Sequence, residues 1–516
     1  MISNPILRGF CPDPSIIRVK DDYYIATSTF EWWPGVKIHH SKDLKSWKQI
    51  KSPLSHIGQL NMIGAPTSGG IWAPCLTYDK GIFYLIFTDV KTKKGRYYNN
   101  HNYLVYTDDI EKGEWSTPIY LNSTGFDPSL FHDIDGKKYL VNMRNGFKGI
   151  LVQEYDTINQ KLTGPCKNVF AGTKAGYTEG PHIYHIGDWY YLMVAEGGTG
   201  YGHCITMARS KSVWGPYEVD SENPMLRAEE TETYLQKCGH GDIVETQNGE
   251  WYLVHLCSRP RNGEQKSLLG RETAIQKVVW NKDGWLRLAH GGWYAAVEVE
   301  ELDGKTEDII SREDDSNVFL DDFSNEALSN RYAFPRAPLG EHCQLMNGYL
   351  RLYGQESLNS LHHVSLAAIP QTEVSVGVQT CMRFEPEYPE QLAGLSYMYD
   401  AMNFYIFGKT KDEEGNSCLQ LIKSDTGVVE DIIEPIPVRE GELYFKVTTN
   451  ENGKWAEFAY SYDSLEWNVI SVPCDTDILT DEHCRGFTGA HFGMYCHDMT
   501  GLKKYAEFKE FSYSVL

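Results

Sequence analysis

The chain has 516 residues, 41% of them hydrophobic, with 33 Tyr and 13 Trp, and a formal net charge of -22. That length exceeds one compact domain and suggests two or three. The charge argues against nucleic acid and anionic membrane as partners, and no stretch approaches the roughly 18 apolar residues of a membrane span.

Twelve Cys are scattered from Cys11 to Cys496 without a Cys-x-x-Cys pair, which argues against a zinc knuckle or a thioredoxin-like site. Reduced thiols are expected. The first residues, MISNPILRGF, have neither a basic n-region nor an apolar h-region, so a cytoplasmic protein is the expectation.

From Met1 to about Glu300 the chain repeats one phrase five times. Each copy has a polar or aromatic head beside Pro or Gly, a short apolar strand, a turn and a second, aromatic-rich strand. The copies begin at Asp13 (DPSIIRVKDDYYIATS), Trp72 (WAPCLTYDKGIFYLIF), Asp127 (DPSLFHDIDGKKYLVN), Glu179 (EGPHIYHIGDWYYLMV) and His240 (HGDIVETQNGEWYLVH). Recurrence at roughly 55 residues is the mark of a radial β array. The pattern predicts an all-β fold, a five-bladed β-propeller over 1–300 with four strands per blade. The polar run 301–317 (ELDGKTEDIISREDDSN) reads as a linker. After it come longer strands and a hairpin signal at Asn450–Gly453 (NENG), which predict an antiparallel β-sandwich over 318–516.

Equivalent positions of propeller blades converge on one axis, so Asp13, Asp127 and Glu179 should share a pocket. Asp13 and Asp127 each precede a proline, which predicts an extended backbone there. For a single Asp-Pro the ordinary reading is a turn or strand-start cap. Three acids at heads of one repeat are different, because acids packed together raise one another's pKa. A protonated and an ionised carboxyl flanking one bond are the working parts of glycoside hydrolysis. Phe30 and Trp72 read either as sugar-stacking surfaces or as core. Arg271 reads as a partner for sugar hydroxyls or a carboxylate, or as a surface ion pair. His240 reads as a hydrogen-bonded structural residue or as a contact for a divalent cation such as calcium, although no second ligand stands at metal spacing.

At NPILRGFCPDPSI, STFEWWPGV, SGGIWAPCL, GFDPSLFHD, TEGPHIY, AEGGTGYGH and LGRETAIQKV the chain resembles glycoside hydrolase family 43, in its β-xylosidase branch. The second domain is similar to that family's C-terminal sandwich through DDFS, SYDSLEW and GFTGAHFGMYCHD. The resemblance implies an inverting mechanism with Asp13 as general base, Glu179 as general acid and Asp127 tuning and orienting that acid. It implies that Phe30, Trp72 and Arg271 line a pentose pocket, with no cofactor required. It implies release of xylose from the non-reducing end of short β-1,4-xylo-oligosaccharides, with α-L-arabinofuranosides as further substrates. The alternatives are mainly an α-L-arabinofuranosidase, or a non-catalytic carbohydrate-binding protein. It also implies a homo-oligomer, dimer or tetramer, and a sandwich loop that narrows the pocket. His491 stands where many relatives carry an aromatic residue, and is expected at that loop's contact with the pocket.

Overall fold

The computed structural model describes residues 1–93, 98–261, 263–302 and 317–516. The expected linker, 301–317, lies outside the described residues except for Glu301, Leu302 and Asn317. Five antiparallel sheets follow the five phrases. The first runs outward through Ser15–Val19, Asp22–Thr27, Lys37–Ser41 and Lys48–Ile50. The innermost strands of the others are Gly70–Asp79, Ser129–His132, Glu179–Ile186 and Gln236–Glu245. These five strands touch one another in a closed ring, which is the five-bladed propeller. Four strands per blade holds except in the fourth blade, where Leu226–Arg227 pairs with Cys204–Ser210 beside Glu218–Val219. None of the 12 Cys is joined in a disulfide.

The entry to each blade corrects the expectation of an extended backbone at Asp13 and Asp127. Both are left-handed, with φ of 55° and 50°. The equivalent residues are Ala73 (φ 36°), Gly180 (φ 54°) and His240 (φ 46°). Four of the five precede a proline: Pro14, Pro74, Pro128 and Pro181. A chain that arrives at the axis must turn sharply outward along the blade, and one left-handed residue does this. Asp tolerates that region better than most side chains. Trp72 and Glu179 therefore sit one residue before the equivalent position. Their strands absorb the offset as bulges, with register shifts between Trp72 and Cys75 and between Glu179 and His182.

The second domain is a sandwich of a nine-stranded and a seven-stranded antiparallel sheet. Glu442–Thr449 alternates fully and partly buried side chains, the pattern of a strand with one face on the core. Leu395, Phe407, Phe445, Phe458, Phe492 and Phe508 lie in the core between the sheets.

The domains are joined by shared structure. Phe334–Pro335 of the second domain pairs with Trp32–Trp33 of the first. Phe10, Phe30 and Trp32 pack in one apolar cluster with Leu366, Leu392 and Phe404. Below this, Arg259 donates to both oxygens of Glu272 (2.7 and 2.9 Å), to Glu373 (2.9 Å) and to the Thr372 carbonyl (2.7 Å). Glu272 is completely buried. Arg259→Leu strands that carboxylate, and breaking such a buried pair costs about 3–5 kcal/mol. The midpoint of urea denaturation should fall accordingly, and a shift worth under about 1 kcal/mol would show that Glu272 finds another partner.

Candidate active site

The propeller axis opens toward the sandwich in a cavity of about 290 Å³. Asp13, Phe30, Trp72, Asp127, Glu179, His240 and Arg271 all line it. These seven residues are thus brought to one place, although they come from all five blades.

Asp13 is 6% exposed and tightly held. Its Oδ2 accepts from Ser28 Oγ at 2.7 Å, and Ser28 Oγ in turn accepts the Ala73 N–H at 2.7 Å. Its Oδ1 accepts from Arg271 Nη1 at 3.3 Å and lies 3.6 Å from His240 Nδ1. Burial pushes the Asp13 carboxyl up, but Arg271, His240 and the Ser28 hydroxyl together outweigh it, and the group lies below its ordinary 3.8. His240 is itself driven by burial to about 4 and is neutral at neutral pH. The Arg271 charge therefore carries most of that effect.

Asp127 has the opposite fate. It is 7% exposed and accepts the Gly180 N–H at 3.0 Å. Burial, followed by the Asp13 charge, pushes it up to about 8. Glu179 is partly buried, and no protein hydrogen bond reaches its carboxyl among the described residues. Burial raises it well above 4.5, and Asp127 and Asp13 add to that. One carboxyl is thus ionised and two share the burden of staying protonated. Gly180 is indispensable to this packing, since a Cβ there would stand 2.9 Å from His240 Nε2.

Arg271 is not a surface ion pair. It is 5% exposed, donates to Thr199 Oγ1 at 2.9 Å, and lies against the adjoining rings of Phe30 (5.3 Å) and Phe487 (4.8 Å), whose centroids are 5.6 Å apart. Phe30 and Trp72 turn out to be both cavity wall and core, with ring centroids 5.9 Å apart. His203 Nε2 and Arg271 Nε are buried without a protein partner among the described residues. Each such atom costs about 1–3 kcal/mol unless a ligand satisfies it. A polyhydroxylated ring offers the required hydrogen-bonding groups.

The second reading of His240, a contact for a divalent cation such as calcium, has few protein ligands to draw on. Calcium takes six to eight oxygen ligands. Around His240 stand Asp13, which is already committed to Ser28 and Arg271, the Gly180 backbone, and beyond them His182, His203 and Asp242. Among the described residues no group of three or more His, Cys, Asp or Glu is arranged to hold a metal ion.

The expectation for His491 is also corrected. It is 1% exposed and stacks on Trp32 with centroids 4.0 Å apart, inside the domain interface. As the first residue of the strand His491–Asp498 it points into that packed layer and not into the cavity. The sandwich residues that do reach the cavity are Arg485 and Phe487, which local sequence reading missed. The only signal was the GFTGAHFG stretch, which contains Phe487 and begins directly after Arg485. Thr199 and His203 were likewise overlooked within the glycine-rich AEGGTGYGH loop.

Comparison with known proteins agrees with this geometry. Residues 2–286 match the family described as Glycosyl hydrolases family 43, and residues 320–514 match the Beta xylosidase C-terminal Concanavalin A-like domain. A Beta-xylosidase of Bacillus subtilis (strain 168) is 43% identical, covering 99% of each chain. A Bacteroides ovatus protein named a non-reducing end alpha-L-arabinofuranosidase is 34% identical, covering 95% of this chain and 90% of its own. The crystal structure of a xylan beta-1,4-xylosidase from Bacillus Halodurans C-125 superposes with a TM-score of 0.95 at 47% identity, covering 100% of both chains.

The raised carboxyl makes a stability prediction. The folded-state pKa of Asp127 lies above its unfolded value, so its burial is unpenalised below pH about 4 and the penalty grows as pH rises through about 8. Asn tolerates the same left-handed backbone and can still accept the Gly180 N–H. Asp127→Asn should therefore lose activity, yet raise Tm by about 2–4 °C at pH 9 and by almost nothing at pH 4. A lower Tm at pH 9 would contradict the assignment of a neutral, buried acid.

Proposed function

This chain belongs to glycosyl hydrolase family 43, and we propose that it is an exo-acting, inverting hydrolase that releases xylose from the non-reducing end of short β-1,4-xylo-oligosaccharides. The observation that carries the reading is the split between one carboxyl held ionised by Arg271 and two held protonated, all in one small cavity. The sugar ring lies against Phe30 and Trp72, and Arg271, Thr199 and His203 meet its hydroxyls.

Glu179 gives its proton to the glycosidic oxygen as the bond to the anomeric carbon breaks. Asp13 takes a proton from a water on the opposite face of the ring. That water attacks the anomeric carbon in a single displacement through an oxocarbenium-like transition state. Burial and the Asp13 charge keep the proton on Glu179, and the bond that Asp127 accepts from Gly180 N–H fixes the turn that aims Glu179. The chemistry uses no organic cofactor. Phe487 and Arg485 narrow the mouth, which favours removal of one terminal sugar at a time. Family resemblance supports a dimer or tetramer, which sedimentation velocity would read.

A second reading, mainly an α-L-arabinofuranosidase, is favoured by the name of the Bacteroides ovatus relative. The kcat/KM values for xylobiose, an aryl xyloside and an aryl arabinofuranoside decide between the two. Xylosides should be preferred. A preference for the arabinofuranoside would reverse the order, and no hydrolysis of any would leave a binding protein.

Two further outcomes test the roles. Glu179→Ala should lower kcat/KM on xylobiose by about 10²–10⁴, and far less on an aryl xyloside with a good leaving group, which needs little protonation. Equal losses would remove Glu179 as the acid. Proton NMR of the first product should show α-xylose. A β-anomer would mean retention and a nucleophilic role for a carboxyl.

A further inference from the structure

Lys237 is the second residue of the strand Gln236–Glu245, three positions before His240. It is 4% exposed and has a left-handed backbone (φ 54°). Its ammonium does not face the sugar cavity. It crosses the domain boundary to Asp481 Oδ2 at 3.3 Å and Glu482 Oε1 at 2.8 Å. It also lies over the ring of Tyr201 at 5.1 Å. Its carbonyl accepts from His203 Nδ1 at 3.2 Å, and His203 lines the sugar cavity.

The two carboxylates begin a single helical turn of the sandwich, Asp481–Cys484. Asp481 Oδ1 accepts from Tyr399 OH at 2.7 Å, and the same hydroxyl oxygen accepts the Thr488 N–H at 3.1 Å. Glu482 accepts the Ser267 N–H at 2.8 Å and the Tyr201 hydroxyl at 3.1 Å. From this turn the chain passes through left-handed Arg485 and through Gly486, where a Cβ would stand 2.5 Å from the Tyr399 ring. It then delivers Phe487 onto Arg271, where the Phe487 N–H donates to Ser68 Oγ at 3.1 Å. Little slack remains between the clasped carboxylates and the ring that covers Arg271.

A buried ion pair is weak evidence for stability, because desolvation offsets most of its attraction, and the better-attested use is to fix one arrangement among several. We propose that Lys237 is a positioning residue for the reaction: by clasping Asp481 and Glu482 it seats Phe487, and Phe487 in turn holds the Arg271 guanidinium against Asp13. This rests on the hydrolase reading above for its kinetic consequence, but not for the clasp itself.

The groups facing Asp13 are Arg271, His240, His203, Asp127 and Glu179. Those facing the Lys237 ammonium are Asp481, Glu482 and Tyr201. Lys237→Met should raise amide exchange at residues 485–489 about tenfold or more. It should also move the acid limb of the kcat/KM profile upward by about 0.5–1 pH unit as Arg271 loosens from Asp13. Lys237→Arg should restore both. Where Lys237→Met does not fold, the variant that also carries Asp481→Asn and Glu482→Gln removes the stranded charges and is read in the same way. Unchanged exchange at 485–489 overturns the clasp. Raised exchange with an unmoved acid limb overturns its link to Asp13. If the wild-type protein hydrolyses no xyloside or arabinofuranoside, the hydrolase reading fails while the exchange comparison still decides the clasp.

Discussion

The contact between Arg271 and Asp13 is the interaction on which the pocket depends. Three carboxylic acids in a small, poorly solvated space would all tend to stay protonated, since burial opposes charge on each of them. The guanidinium breaks that equivalence. It stabilises the charge on Asp13 alone at close range, and the charged Asp13 then makes ionisation harder for Asp127 and Glu179. A base and an acid arise from like residues because one cation is placed asymmetrically. Phe30 and Phe487, packed against each other and against Arg271, keep it desolvated and aimed. The next residue after Arg271, Glu272, is tied to Arg259, which also holds Glu373, so the strand that starts beside Arg271 is anchored across the domain boundary.

The propeller supplies the convergence and its irregularities supply the chemistry. Five left-handed residues stand around the axis, and only two of them are acids. The third acid comes from a bulge: Gly180 takes the turn and Glu179, one residue earlier, reaches into the cavity. Trp72 arrives in the same way in the second blade. Backbone strain and close packing at such positions are tolerated because surrounding contacts over-determine them, as at Ser28, which joins Asp13 to the Ala73 N–H. The acids that destabilise the neutral-pH fold are also those the chemistry uses, a common trade between stability and activity.

Much of this was legible in the chain itself. The period-2 phrases and their turns gave away the blades, and acids at three heads pointed to one pocket. Arg271 was legible only as an arginine between a glycine and a strand, and its burial against two rings was not. The backbone at Asp13 and Asp127 was misjudged, because the rule for residues before proline describes local sterics and says nothing of a chain turning off an axis. Arg485 and Phe487 were invisible to local patterns. They lie more than 200 residues from Arg271 in sequence and gain meaning only when the sandwich docks. His491 was misplaced for the same reason, since its partner Trp32 belongs to the other domain.

The most direct measurement is a residue-resolved titration of the carboxyl carbons of Asp13, Asp127 and Glu179 by carbon-13 NMR, with each assignment made by substitution. The account predicts that Asp13 ionises first, below pH 4, while the other two hold protons well above the usual carboxylate range. Were Asp13 to keep its proton after Glu179 had lost its own, the acid and the base would be exchanged and the proposed mechanism would be wrong.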